Sequence, residues 1–97
     1  MSIDFNDVQG DQHVYTSDGA EIGRPGGIYC DPATGIRYLK VDRMRLMGLF
    51  GGESLFVPES AIERVDMAQE IIRLKVPKAE AEAEYVNKPG TLRPGTA

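Results

Sequence analysis

Hydrophobic residues in this chain come in short bursts separated by turn chemistry, and their spacing predicts strands rather than helices. In "EIIRLKV", residues 70 to 76, Ile72, Leu74 and Val76 alternate with Arg73 and Lys75, the period of two that marks a half-buried strand. "RYLKVD" repeats the pattern, with Leu39 and Val41 on one face and Tyr38, Lys40 and Asp42 on the other. "SLFVP" sets Leu55 and Val57 against Phe56 before Pro58 stops the run. These alternations predict a core of Leu39, Val41, Leu55, Val57, Ile72 and Leu74. "HVYTSDGAEIG" reads as a hairpin, because Gly19 supplies the positive φ that a Ser-Asp-Gly turn demands. A second hairpin turns at Asp31-Pro32, where proline presets φ, and closes at Gly35 in a left-handed or bulged conformation. Pro25-Gly26-Gly27 interrupts the strand entering that hairpin. Proline cannot donate to a ladder, so the segment belongs to an edge, a bulge or a loop. "ESAIERV" suits one helical turn or a strand. Helix is predicted only after Pro77, over "KAEAEAEY", with proline at the first helical position.

The chain ends read differently. Residues 1–11 are polar, with Ile3, Phe5 and Val8 as the available anchors, and are expected to form a flexible arm. Residues 85–97 hold two Pro-Gly pairs and little to bury, and are expected to be a disordered tail. Residues 12–84 remain as one domain. Short strands spaced by turns indicate an all-β barrel or sandwich, and closure into a barrel hides the sheet edges. The expectation is an all-β fold, a small barrel of about six short strands with one short C-terminal helix.

The ordered series of these pieces resembles the PRC-barrel family, and most of all its stand-alone bacterial members. "VYTSDGAEIG" is similar to the family's opening strand and turn, and "IYCDPATGIRYLKVD" to its next strand, turn and strand. "GLFGGESLFVPESAIERVD" is similar to its Gly-rich loop and the strand ending in Val-Pro, and "IIRLKVPKAEAEA" to its closing strand and short helix. Pro25-Gly26-Gly27 departs from the family, which continues a strand there. The resemblance implies a small β-barrel that often self-associates. Nothing resembles the membrane anchor of the photosynthetic reaction-centre subunit or the additional domain of the family's ribosome-maturation factor, so neither activity is carried over.

Charge and chemistry narrow the function. A net charge of −4 argues against nonspecific nucleic-acid binding. The densest basic run, Arg37, Lys40, Arg43 and Arg45, is interrupted by Asp42 and reads as a solvated strand face. The lone Cys30 fits a reducing compartment. The acidic start "MSIDFNDVQG" does not read as a signal peptide, and no apolar run approaches the ~20 residues of a membrane span. A cytoplasmic location with no membrane association is therefore expected. His13 and Cys30 could form a nucleophilic pair only if the fold brings them together, and a surface histidine with a half-buried thiol is the simpler reading. One histidine and one cysteine do not make a closed zinc site. Asp4, Asp7 and Asp11 lack the Gly-anchored loop of a calcium site. No catalytic residue, metal site or cofactor is expected.

The segment between the second and third predicted core strands carries the remaining signal. "GLFGGES" has neither the lysine nor the following helix of a phosphate-cradling loop, so its glycines join strands. Leu46, Met47, Leu49 and Phe50 are more apolar than a solvated turn requires. They either plug one end of the barrel or form a patch for a partner. The leading expectation is a non-enzymatic interaction module that pairs with itself as a homodimer, or docks on another protein, through these four residues. The alternative is a small-ligand or regulatory sensor using the barrel mouth, lined by Tyr15, Tyr29 and Tyr38.

Overall fold

Alternation and turn chemistry place strands β1 to β6, given below, in the segments that the sequence predicts, around one hydrophobic core. The structure, a computed structural model, describes residues 5–43, 54–86 and the backbone of 93–94. Among these, strands β1 (His13–Tyr15), β2 (Glu21–Cys30), β3 (Arg37–Arg43), β4 (Leu55–Pro58), β5 (Ile62–Asp66) and β6 (Ile71–Leu74) precede helix α1 (Lys78–Glu84). A two-residue strand, β7 (Arg93–Pro94), follows. The strand order is β4-β3-β2-β1-β6-β5, with β7 beside β2. The fold is all-β with one short helix. The path has β4 and β5 at its ends, and among the described residues no ladder joins them.

All six residues predicted as core are fully buried, with Leu39, Val41, Leu55, Val57, Ile72 and Leu74 at 0% exposure. They share one cluster with Val14, Ile22, Ile62, Ala61, Ala81 and Phe5. The boundaries expected at 12 and 84 do not mark where contacts stop. Phe5, in a 3-10 turn over Phe5–Asp7, belongs to the core, and Val8 packs against it. Gln12, itself buried, fixes that turn: its Oε1 accepts the Gln9 N–H at 2.7 Å and its Nε2 donates to the Asp7 carbonyl at 2.9 Å. The Arg37 guanidinium lies 4.8 Å from the centre of the Phe5 ring, a cation–π contact. Tyr85 and Val86 also pack on the core, and β7 pairs in register with Tyr29 and Cys30.

The ambiguous segments resolve in physical terms. Pro25-Gly26-Gly27 is a bulge inside one continuous β2: Pro25 faces Val41, Gly27 faces Lys40, and Gly26 is the extra residue. A proline is tolerated inside a central strand because the ladder is already interrupted at the bulge. "ESAIERV" is both of its alternatives in turn, a 3-10 turn over Glu59–Ala61 and then β5. Both hairpin turns form as expected, with Gly19 at φ 84° and Gly35 at φ 75°. Asp31 organises the second turn by accepting the Ala33 N–H on its side chain at 2.9 Å and the Gly35 N–H on its carbonyl at 2.7 Å.

Two features come from tertiary pairing alone. β1 lies parallel to β6, with Val14 beside Ile72, so it zips the start of the fold to its last core strand. The β1–β2 turn also reaches α1. Thr16, fully buried, donates its hydroxyl to Asp18 and accepts the Ala20 N–H at 3.3 Å. The Asp18 carboxylate then accepts the Lys78 N–H at 3.3 Å. Helix α1 has no capping side chain of its own at Pro77, and Asp18 takes that role from sixty residues away. The Thr16 hydroxyl holds the Asp18 carboxyl below its ordinary range.

Candidate functional site

The four residues expected at the interface, Leu46, Met47, Leu49 and Phe50, lie outside the described residues. What can be built from the structure is the base from which their segment leaves. The segment joins β3 to β4, which pair antiparallel with Val41 opposite Leu55 and Lys40 opposite Phe56. Asp42 is the hub of the base. It accepts the Ser54 hydroxyl at 3.1 Å and lies 3.5 Å from the Lys40 ammonium, tying the end of β3 to the start of β4. The same carboxylate presses on the β2 bulge, where a Cβ on Gly26 would come within 2.3 Å of it. Arg43, the last residue of β3, is ion-paired with Glu82 of α1. The base is thus held to β2, β4 and the helix at once.

Beside the base, on the sheet face opposite the core, lies an aromatic ledge. Tyr29 pairs with Tyr38 across β2 and β3, and the Tyr29 ring meets Phe56 edge-on, with centroids 5.6 Å apart and planes at 80°, a favoured aromatic geometry. Gly27 follows the bulge at φ 139°, a backbone conformation that side chains rarely adopt, and a Cβ there would lie at an ordinary 3.6 Å from the Tyr29 ring. Phe56 is only 8% exposed although it points away from the main core. Its backbone N–H donates to the Tyr85 carbonyl at 2.8 Å, which occupies that edge of β4. Burial and the neighbouring Glu84 and Glu80 charges push the Tyr85 phenol above its ordinary range.

The other candidates are dispersed. Tyr15 stands on β1, paired with Arg73 of β6, away from the Tyr29–Tyr38 pair. The three tyrosines therefore do not converge on one opening. His13 and Cys30 are at different ends of β2's pairings: the His13 Nδ1 is 2.5 Å from Glu21 Oε2, while Cys30 pairs with Arg37 nine residues further along. Of the basic run, Arg37 is neutralised by Glu59 at 3.0 Å, Lys40 by Asp42 and Arg43 by Glu82, which makes it a salt-bridged surface rather than a patch; Arg45 lies outside the described residues. Asp7 is in the first 3-10 turn and Asp11 is exposed. Among the described residues no group of three His, Cys, Asp or Glu side chains could hold a metal ion, and no helix is long and apolar enough to cross a membrane. No family model, curated protein or solved structure matches the chain.

Alternation places Phe56 on an outer face, and Tyr38 among the outward residues of β3 marks that face as at least partly covered. The contact between Phe56 and Tyr29 is not legible in the sequence, because it depends on the strand order β4-β3-β2.

Proposed function

We propose that this chain is a non-enzymatic interaction module of the PRC-barrel type that forms a homodimer, or docks on a partner protein, through Leu46, Met47, Leu49 and Phe50. The observation that carries the reading is the fixed base around Asp42. A segment rich in large apolar side chains leaves from flanking residues, Arg43 and Ser54, that are tied to α1 and to Asp42. Holding the flanking strands in place reduces the entropy lost on association. Pairing across a two-fold axis buries the apolar patch against its own copy, and Met and aromatic side chains suit the centre of such a contact.

Light scattering on the purified chain and on a Leu49→Glu, Phe50→Glu double variant tests the proposal. The expected result is a wild-type dimer and a folded, monomeric variant. A monomeric wild type at high micromolar concentration rejects the homodimer. A variant that unfolds shows instead that the segment plugs the barrel.

A further inference from the structure

We propose that β5, together with the cationic row on the sheet beside it, is a docking strand for an extended acidic peptide of a partner protein. The register places Arg64 of β5 directly opposite Arg73 of β6, and Tyr15 of β1 beside Arg73. Paired residues share a face, so these three side chains form one row on the side away from Val14, Ile72 and Leu74. Lys75 follows Arg73 at the next position of that face and is exposed, as is Arg64. Like charges directly opposite one another destabilise a sheet. Arg37, Lys40 and Arg43 each have a carboxylate partner. Arg64, Arg73 and Lys75 have none among the described residues; Arg73 instead donates to the Ser17 carbonyl at 3.3 Å. No carboxylate among the described residues forms an ion pair with the row: Glu21 is engaged by His13, and Asp66, which shares the Arg64 face two residues on, accepts the Gln69 N–H at 3.0 Å. Glu63 is the bulge residue between the paired Ile62 and Arg64.

The edge selects the kind of partner. β5 ends the strand path, and among the described residues its outer edge carries no ladder, whereas the β4 edge is occupied by the Tyr85 carbonyl. An extended peptide added to β5 gains main-chain hydrogen bonds, and its alternate side chains fall on the Arg64 face, where carboxylates meet the guanidiniums. A second copy of β5 does not suit this edge, because it brings its own Arg64 and Arg73 to the same face. A small anion gains little on an open sheet face with no enclosing walls.

The test is a ¹⁵N-detected titration of the full chain with a capped peptide alternating glutamate and threonine, alongside a lysine–threonine control and inorganic phosphate alone. The expected result is amide shifts centred on Ile62–Asp66 with the glutamate peptide only, weakened by salt. Arg64→Thr, which keeps a strand-favouring residue, is expected to weaken binding about fivefold, and Arg64→Glu with Arg73→Glu to remove it. The proposal is overturned by no shifts, by shifts centred elsewhere, by equal binding of the lysine peptide, or by phosphate alone reproducing the response. It is equally overturned if Arg64→Thr binds like wild type, since the arginines then serve only to guard the edge against aggregation.

Discussion

The two halves of the sheet both line the inside and differ on the outside. β2, β3 and β4 carry Tyr29, Tyr38 and Phe56 on their outer face, with every described cation of β3 paired to a carboxylate. β1, β6 and β5 carry Tyr15, Arg73 and Arg64 there, with the two arginines facing each other. Inward, both halves supply fully buried aliphatic side chains to one cluster. Hydrophobic burial is nondirectional and sets the inner face of both halves alike. The outer faces are set by which residues the bulges bring opposite one another, and there the halves diverge.

The comparison breaks most visibly at Phe56. If the outer ledge is a true second core, Phe56→Ala costs about 3–5 kcal/mol despite lying opposite the main cluster, and urea unfolding reads this directly. Leu74→Ala, on the shared inner face, is expected to cost about 2–5 kcal/mol. A loss near half a kcal/mol at Phe56, roughly a surface value, would make the two outer faces equivalent.

Gly23 joins the halves, since it pairs with Val14 on one side and Arg43 on the other. A Cβ there would sit 2.1 Å from the Asp42 carbonyl oxygen, and backbone cannot swing aside as a side chain can. Gly23→Ala is therefore expected to cost about 1–3 kcal/mol and to disturb amide signals in β1 and β3 together. Disturbance confined to one strand would show that the halves are not coupled through this residue.

Arg64→Thr sharpens the contrast from the other side. Removing one of two facing guanidiniums is expected to leave stability within about 0.5 kcal/mol of wild type, or to raise it slightly by relieving repulsion. A thermal melt showing a marked drop would mean that Arg64 is held by a structural partner.

The smallest effect concerns Asp18. Its carboxyl is held low by the Thr16 hydroxyl in the folded chain, so the unfolded chain binds more protons in the acid range. Its contribution is present at neutral pH and is lost as pH falls through the depressed folded value. Melting temperatures of wild type and Asp18→Asn should therefore differ at neutral pH and converge in acid. A constant difference across that range would mean that the carboxyl's charge is not what caps α1.

The inner face was legible because alternation alone fixes it: Leu39, Val41, Leu55, Val57, Ile72 and Leu74 needed no knowledge of their partners. The turns at Gly19 and Gly35 were legible for the same local reason. The parallel β1–β6 pair was not, because β1 is three residues long and nothing in it names a partner fifty-eight residues away. Phe5 was visible only as one anchor among three, since its burial rests on Arg37 and on the turn pinned by Gln12. The Arg64–Arg73 pair was hidden by the bulge at Glu63, which shifts the register by one residue, a change that composition does not announce.

The proposed association uses the segment between β3 and β4 and keeps β5 free for a different partner. Hydrogen exchange measured at low and high protein concentration tests both parts at once. Protection of residues 44–53 is expected to rise with concentration, while exchange in Ile62–Asp66 is expected to stay unchanged. Protection that is independent of concentration in 44–53, or that rises in β5 instead, would contradict it.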